Sequence, residues 1–280
     1  MQIAIIGGAS ENREDVMRVL TNDVAIGKYT QGSIFNCLRV SDGSERFGIV
    51  VTARCDIAHQ KARNLVCLPI YHLSEWMDVR GNHEVAGQSA AAINNIVSEI
   101  LGKYQVSSRA IDIYGLGKTL EILGGKGISA ADRLKLEVLE AFIVKKDISV
   151  NNKILKENRK KYMDGLIRNQ RSDTFFVERL ICGECPTGYV VDLSEPICLS
   201  KKALIEVSKG LEYVKYCREK DTEYKNIIIQ EGGHACFVST LLSPYVELLL
   251  QRFSGFYSRV GTQDISKKDM EAVRRLHEID

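Results

Sequence analysis

The sequence predicts an α+β fold: a small β-barrel with a helical insertion and a C-terminal helical region. Short β-branched segments separated by glycine-containing turns occupy residues 28–80, and short strands with frequent turns favour a small barrel over a parallel sheet. Apolar residues then recur at helical spacing over residues 81–171. Strand-like segments return in residues 172–280 and are followed by amphipathic helices. We therefore divide the chain at these positions, with residues 1–27 as a separate N-terminal unit.

Residues 1–27 are predicted to form a strand followed by a helix. The apolar run Ile3–Ile6 has strand character, and Ser10 is placed to cap the helix that follows. Gly7 and Gly8 between them do not fit the G-x-G-x-x-G pattern of dinucleotide-binding domains. We therefore interpret this unit as an edge strand and a helix that packs on the next domain.

Residues 28–80 contain the predicted barrel strands. The segments SIFNCLRV and RFGIVVT are joined by the turn SDGSE, and the β-branched residues in both favour strands. A polar segment, DIAHQKARN, then separates RFGIVVT from a further strand, LVCLPIY. The last two strands are therefore predicted to pair as a hairpin with a polar connection.

Residues 81–171 are predicted to be helical. The apolar residues of SAAAINNIVSEILGKY fall on one helical stripe, and Ser129 is placed to cap a later helix. The segment GLGKT at residues 115–119 resembles part of a phosphate-binding loop. That pattern requires glycine where this chain has Asp112, whose carboxylate would repel phosphate, so we interpret the segment as an ordinary loop.

Residues 172–280 are predicted to return to strands before ending in helices. The segments TFFVERLI, GYVVDL and NIIIQ have strand character, and a helix is predicted over residues 201–218. A long C-terminal helix is predicted with Ser243 as its N-cap, Pro244 at its first position and its end at Gly261. The C-terminal region is therefore expected to be mostly helical.

Composition places the chain among ordinary globular proteins. Hydrophobic residues make up 45% and charged residues 26%, while a net charge of +2 gives no overall attraction to nucleic acid or membrane. No segment approaches the roughly 18 consecutive apolar residues of a membrane-spanning helix. The eight cysteines, in a chain without a secretory signal pattern, are predicted to be reduced thiols. We therefore expect a cytoplasmic protein with no membrane partner, whose apolar helix stripes suit either an intrachain core or a homo-oligomer.

A C-x-x-C pair, Cys182 and Cys185, lies in a predicted turn. Two thiolates at this spacing can bind one tetrahedral zinc ion, which needs two further ligands. His234 and Cys236 are the most compact candidates for those ligands, and Cys55 with His59 is a more distant option. The alternative interpretation is a pair of turn cysteines that binds no metal.

A basic segment covers residues 153–171. Seven lysines and arginines against one glutamate and one aspartate give it a local charge of +5. Arg159, Lys160 and Lys161 are its central cations and Tyr162 follows them, so a helix here is able to track a phosphate backbone. The alternative is a solvated helix face that binds nothing.

Four short motifs follow one another through the predicted barrel. They are GSI at residues 32–34, GSE at 43–45, IVVT at 49–52 and PI at 69–70. Together they resemble the start of the PemK/MazF-like toxin family, whose fold is an SH3-like barrel, and the resemblance covers residues 29–73. It implies an SH3-like barrel and a role in a prokaryotic toxin–antitoxin or phage-defence system.

The resemblance also implies candidate catalytic residues. Members of the family cleave RNA through its 2′-hydroxyl, with an arginine from an R-P loop and a hydroxyl residue after P-I. Here Arg46 lies one residue before the R-P position, and Tyr71 followed by His72 replaces the hydroxyl residue. Arg46 is therefore the candidate for stabilising a pentavalent phosphate, and His72 is the candidate general acid or base.

The polar connection supplies candidate binding residues, because Asp56, His59 and Lys61 are expected to emerge at the barrel rim. The sequence thus supports three hypotheses of different classes. The first is a prokaryotic defence or toxin–antitoxin component that binds nucleic acid or a partner protein through the barrel and the basic segment. The second is a PemK/MazF-like endoribonuclease. The third is a zinc-stabilised assembly or regulatory subunit without catalysis.

Overall fold

A computed structural model describes residues 19–181, 186–218 and 222–258 of the chain. These residues form an α+β protein built around an eight-stranded antiparallel sheet, so the predicted α+β class is confirmed. The strands are β1 (Thr21–Asn22), β2 (Ser33–Arg39), β3 (Glu45–Val50), β4 (Asn64–His72), β5 (Thr174–Val177), β6 (Tyr189–Asp192), β7 (Ile197–Ser200), β8 (Leu211–Glu212), β9 (His234–Ala235) and β10 (Phe237–Leu241).

The sheet combines strands from distant parts of the chain. Its hydrogen-bonded order is β1-β10-β2-β3-β4-β6-β5, and β8 and β9 form a separate two-stranded sheet. The long strand β4 pairs with β7 along its first half and with β6 along its second half. Among the described residues no pairing joins β1 to β5, so hydrogen bonds do not close this sheet into a barrel.

Helices surround the sheet and form most of the segment between β4 and β5. A π-helical segment, Met77–Gly81, joins two of them into a continuous helical stretch, and a 3-10 turn covers Thr222–Tyr224. The helices are α1 (Arg54–Ala58), α2 (Leu73–Trp76), α3 (Asn82–Lys103), α4 (Ala110–Gly125), α5 (Ala130–Val138), α6 (Glu140–Lys145), α7 (Lys153–Ile167), α8 (Lys201–Ser208), α9 (Tyr213–Arg218) and α10 (Tyr245–Tyr257). None of them is long and apolar enough to cross a membrane.

Both faces of the central strands are buried, which explains why they read as nearly continuous apolar runs. Successive side chains of a strand point to opposite faces. Ile49 packs in the core under α10, whereas Val50 packs in the core under α8. The helices contribute Val246 and Leu249 on one side and Leu204 on the other. The sheet is therefore a middle layer between helices.

The helical insertion has a core of its own and one buried junction with the sheet. Phe142 and Leu123 are fully buried in the insertion's core. At the junction, Trp76 at the end of α2 packs with Tyr71 of β4 and Tyr162 of α7. The indole nitrogen of Trp76 donates a hydrogen bond of 3.0 Å to the Tyr162 hydroxyl. This contact fixes α7 relative to the end of β4.

Three local predictions are wrong. Residues 116–119 of GLGKT are helical, since α4 is only kinked at Gly115, whose φ is +74°. The segment NIIIQ forms no strand and makes a single bridge, between Ile227 and Leu38. The helix predicted over residues 201–218 is divided by Gly210, whose φ is +84°.

The predicted C-terminal helix is confirmed in part. Its N-cap is Pro244, one residue later than predicted, and α10 reaches Tyr257. The predicted end at Gly261 lies outside the described residues, as do the predicted strand Ile3–Ile6 and most of the helix predicted after it.

Candidate functional site

Arg46 and His72, the two candidate catalytic residues, line the same cavity. Arg46 lies near the start of β3 and His72 is the last residue of β4. The antiparallel register pairs Phe47 with Ile70, so the beginning of β3 lies beside the end of β4. The cavity measures about 460 Å³ and is called the Arg46–His72 cavity below. Its lining residues are Asn36, Cys37, Glu45, Arg46, Phe47, Ile70, His72, Glu75, Tyr189 and Gln230.

The Arg46 guanidinium is held by its neighbours yet keeps donors for a ligand. Its Nη1 donates to the Glu45 carbonyl oxygen at 2.6 Å, and its carbon lies 5.1 Å from the centre of the Tyr71 ring. Its Nε is 3.8 Å from Glu75 Oε2, and this buried nitrogen donates no hydrogen bond within the described chain. A guanidinium has five N–H donors, and among the described residues the only hydrogen bond of the Arg46 side chain is the one from Nη1.

His72 has a structural role as well as a place in the cavity. Its Nδ1 accepts from the Ser74 backbone nitrogen at 3.4 Å, while its own backbone nitrogen donates to Glu75 Oε2 at 3.4 Å. These reciprocal bonds form a capping box at the start of α2. The ring meets Tyr189 edge to face at 5.4 Å between centroids. The cap fixes the imidazole through Nδ1, and Nε2 has no hydrogen bond among the described residues.

The buried thiol of Cys37 contributes a donor to the cavity wall. Cys37 lies at an irregularity in the β2–β3 register and has a φ of +65°. Its Sγ donates to Glu45 Oε1 at 3.3 Å. Burial and the Glu45 carboxylate raise the pKa of the Cys37 thiol, so it stays protonated at neutral pH. Because the thiolate is the nucleophilic form, Cys37 is not a candidate nucleophile.

The charges of the cavity favour hydrogen-bond donors over phosphate. Glu45 and Glu75 outnumber Arg46, which gives the lining a charge of −1 while His72 is neutral. Sequence reasoning missed both carboxylates. Glu75 had a recognisable signal, because it stands three residues after the N-cap His72, where a capping box places an acid.

A second network supports Arg46 from behind the cavity. The Tyr71 hydroxyl donates to Glu195 Oε2 at 3.4 Å, and Arg80 pairs with Asp192 at 2.8 Å. Burial and the Glu195 carboxylate raise the pKa of Tyr71, so its hydroxyl remains a donor at neutral pH. Burial likewise raises the pKa of Asp192, against the opposing effect of Arg80. The Tyr71 ring, which contacts the Arg46 guanidinium, is therefore held in place by its hydrogen bond to Glu195.

The structure does not bring Asp56, His59 and Lys61 to this cavity. They lie on α1 and the loop after it, at the opposite end of β3 and β4. About 17 Å of strand separates the two ends, at roughly 3.4 Å per residue over five residues. Neighbouring residues of the same segment line another cavity of about 620 Å³, where Lys201 Nζ donates to Gln60 Oε1 at 2.9 Å. The three predicted binding residues therefore form a separate surface.

The basic segment becomes α7, and its outer side is exposed. Leu155, Tyr162 and Leu166 are its buried residues. At 100° per residue, Lys156, Lys160 and Lys161 lie away from the buried side, whereas Arg159 lies about 40° from its middle and is exposed at its edge. We call the exposed cations Lys156, Arg159, Lys160 and Lys161 the basic face. Among the described residues these four cations form no ion pair.

Two residues of the predicted basic segment are engaged elsewhere. Tyr162 was expected among the exposed cations, but it is only 4% exposed and accepts the Trp76 hydrogen bond. Arg171 pairs with Glu84 at 2.9 Å and with Asp173 at 2.8 Å. Both are therefore removed from any nucleic-acid interface.

The predicted zinc ligands are only partly described. Cys182 and Cys185 lie outside the described residues. His234 is exposed and Cys236 is half-buried, next to the Asn36 side chain, which accepts from the Cys236 backbone nitrogen at 2.7 Å. In the part of the chain that the structure describes, no group of three His, Cys, Asp or Glu side chains is arranged to hold a metal ion. Zinc binding through these four residues stays a prediction.

Comparisons of the chain with protein-family models, curated proteins and solved structures find no match. The resemblance of residues 29–73 to the PemK/MazF-like family therefore stays a prediction. Its motifs occupy β2, β3, β4 and the turns that precede and join them.

Proposed function

We propose that this protein binds RNA as a component of a prokaryotic defence or toxin–antitoxin type system. The basic face of α7 is the observation that carries the proposal. Its four cations are exposed and form no ion pairs in the described chain, and the exposed carboxylate of Glu157 beside them pairs with Lys153 at 3.8 Å, so an RNA backbone would not have to break an ion pair of these four cations. Cations that neutralise phosphates release counterions, and this release supplies most of the sequence-independent affinity for nucleic acid.

The system and the SH3-like arrangement of the sheet are parts of the same proposal. Their support is the resemblance of residues 29–73, together with the antiparallel pairing of β2, β3 and β4 in sequence order. Small barrels of this kind also bind partner proteins, and a fold does not fix a function. A protein partner is therefore the alternative that a wild-type protein unable to bind RNA would favour.

The binding experiment compares matched variants. We expect Arg159→Gln, Lys160→Gln and Lys161→Gln together to weaken RNA binding at low salt by about tenfold or more and to flatten its salt dependence. The control removes three exposed cations of other segments, with Arg109→Gln, Arg218→Gln and Lys225→Gln, and should bind as the wild type does. Fluorescence anisotropy with labelled RNA, repeated at several salt concentrations, measures both effects. Equal losses in the two triple variants, or no binding by the wild type, would exclude the basic face as an RNA site.

RNA cleavage in the Arg46–His72 cavity is the second candidate function, favoured by the shared location of these two residues. In this reaction His72 takes the tautomer whose Nδ1–H donates to Ser74 Oγ at 2.7 Å, so that Nε2 accepts the proton of a 2′-hydroxyl as its oxygen attacks the adjacent phosphorus. The bond from phosphorus to the 5′-oxygen then breaks, and that oxygen takes a proton from water. Arg46 stabilises the additional negative charge on the phosphorane. The carboxylates of Glu45 and Glu75 oppose phosphate entry, which makes cleavage the second candidate and binding the first.

The cleavage experiment separates chemistry from folding. His72→Asn retains a side chain that caps α2 but has no imidazole, and Arg46→Lys retains the positive charge. For a nuclease, we expect 2′,3′-cyclic phosphate and 5′-hydroxyl ends from the wild type and a loss of at least about a hundredfold in rate for His72→Asn. Absence of cleavage by wild-type protein that binds RNA would eliminate this candidate and leave the first one standing.

A further inference from the structure

We propose that the Arg46–His72 cavity holds a guanine base of single-stranded RNA, with Glu45 as the residue that selects it. This inference rests on the proposed RNA binding and adds a base preference to it. A base can enter a cavity only when it is unpaired and unstacked, which is how proteins read single-stranded RNA.

The walls of the cavity suit a planar, partly apolar ligand. Phe47 and Tyr189 meet edge to face at 6.4 Å between ring centroids, and the buried Ile70 lies beside them. The volume of about 460 Å³ lies in the range of small-molecule sites. Aromatic walls stack on any base, so they supply affinity without choosing between bases.

The polar groups of the cavity are rich in acceptors. Glu45 Oε1 accepts one hydrogen bond, from the Cys37 thiol, which is a weak donor. A carboxylate has about four acceptor positions, so Glu45 can accept further donors. Glu75 adds a second carboxylate, whose side chain is 49% exposed. A ligand that presents hydrogen-bond donors is therefore favoured over one that presents acceptors.

Guanine is the base whose Watson–Crick edge presents two adjacent donors, N1–H and the N2 amino group. A carboxylate can accept both at once. Adenine and cytosine each place a ring nitrogen acceptor beside their amino group, and uracil places carbonyl oxygens on both sides of its N3–H. For these bases an acceptor would face the Glu45 carboxylate, and unpaired buried polar groups are what makes such discrimination strong.

The other polar side chains of the cavity would contact either the bound base or the phosphate backbone. The Asn36 amide is fixed in orientation, since its nitrogen donates to the His234 carbonyl at 3.0 Å and its oxygen accepts from the Cys236 nitrogen. The Gln230 side chain is exposed and has no hydrogen bond among the described residues, so its amide is free to contact a base. Arg46 donates one hydrogen bond from Nη1, and its Nη2 donates none among the described residues, so Nη2 is the donor for the phosphate attached to the bound nucleoside.

The test uses short single-stranded RNAs that differ at one central nucleotide. Guanosine, inosine, adenosine and uridine are compared at that position by fluorescence anisotropy. Inosine keeps N1–H but lacks the amino group, so it isolates one of the two donors. We expect wild-type protein to bind the guanosine RNA about tenfold or more tightly than the adenosine and uridine RNAs, with inosine in between.

Two variants connect the preference to the cavity. Glu45→Gln keeps the size of the side chain and one acceptor for the Cys37 thiol but places a donor toward the base, so the preference should disappear while RNA binding persists. Gln230→Ala, at an exposed position, should weaken binding of the guanosine RNA without loss of fold, as judged by circular dichroism.

The outcomes distinguish this inference from the proposed function. If all the RNAs bind equally well to the wild type, the guanine site is overturned while RNA binding by the basic face stands. If none binds, the proposed function fails and this inference fails with it. If arginine amide occupies the cavity, as shown by shifts of the Tyr189 and Phe47 resonances, and guanosine monophosphate does not, a cationic peptide side chain is the occupant and the guanine proposal is wrong.

Discussion

The Arg46–His72 cavity and the basic face of α7 hold charged residues in opposite ways. Arg46 has 15% of its side chain exposed, and it contacts the Tyr71 ring, the Glu45 carbonyl and the Glu75 carboxylate. Lys160 and Lys161 on α7 are exposed and contact no carboxylate within the described residues. The cavity therefore has directed groups in fixed positions, whereas the basic face has charge that is available to any phosphate.

This difference predicts a division of roles. Fixed donors and acceptors inside a partly buried site can discriminate between ligands, because a mismatched group is left unpaired there. Exposed cations attract nucleic acid regardless of its sequence. Variants of the cavity and its support should therefore cost stability, and variants of the basic face should cost only affinity.

The largest expected loss of stability comes from Trp76→Ala, at the buried junction between the two regions. Trp76 is 0% exposed, and replacing a buried tryptophan by alanine costs about 3–5 kcal/mol. Urea unfolding followed by circular dichroism measures the free energy of unfolding. Val79→Ala, at a residue 47% exposed in the neighbouring π-helical segment, is the control and should cost far less. Equal costs for the two variants would show that the junction does not stabilise the fold.

Gly48→Ala should cause the next largest loss of stability. Gly48 lies in β3, the strand that carries Arg46 of the cavity. A Cβ at Gly48 would lie 2.6 Å from Phe35 Cζ and 3.0 Å from Leu38 Cδ2, both in fully buried side chains. Overpacking of this kind costs about 1–3 kcal/mol. The matched control is Gly117→Ala in α4, where a Cβ meets nothing within 4 Å and should stabilise the helix by about 0.5–1 kcal/mol. Fluorescence of Trp76, the chain's single tryptophan, follows both unfolding transitions.

Acid should weaken the helical insertion that carries the basic face. Lys103, with the hydroxyls of Tyr104 and Ser129, lowers the pKa of Asp132 to about 2. Because the ordinary value is about 3.9, this stabilisation is present above about pH 4 and is lost as the pH falls through 2. The difference in free energy of unfolding between wild type and Asp132→Asn should therefore shrink from pH 6 to pH 2. A difference that stays constant between pH 6 and pH 2 would contradict this role of Asp132.

The smallest effect on stability is expected on the basic face. Arg159→Gln, Lys160→Gln and Lys161→Gln replace exposed side chains without ion partners in the described chain, so each should change the free energy of unfolding by no more than about 0.5 kcal/mol. Unfolding followed by Trp76 fluorescence tests this expectation in the same triple variant used for RNA binding. A loss of several kcal/mol would show that these cations stabilise the fold and would remove the contrast with the cavity.

Part of the candidate site could be predicted because it depends on a single hairpin. Once the strands of residues 46–52 and 65–71 pair in antiparallel fashion, Arg46 and His72 must lie at the same end. Tyr189 could not be found in this way, because it arrives on β6, far along the chain, after the whole helical insertion. Cys37 enters the site through a strand irregularity that has no sequence signature here.

The burial of Tyr162 could have been predicted from its helical spacing to Leu155 and Leu166, although the charged residues around it obscure that spacing. Leu155, Tyr162 and Leu166 recur at spacings of seven and four residues, which places all three on one side of a helix. A tyrosine on the apolar side is expected to be buried with its hydroxyl bonded, as Tyr162 is to Trp76. Lys160 and Lys161 precede it in sequence, but they lie on other sides of the helix.

The sequence by itself determined the α+β class, the strands around the cavity and most of the helix positions, because these depend on local periodicity, turns and caps. The tertiary structure decided which charged side chains form ion pairs and which are available to bind a ligand. Arg171 is paired with Glu84 and Arg80 with Asp192, across 87 and 112 residues of chain, while Arg159 keeps its charge free among the described residues. Ion pairs of this kind depend on contacts between distant segments, and no local pattern in the sequence records them.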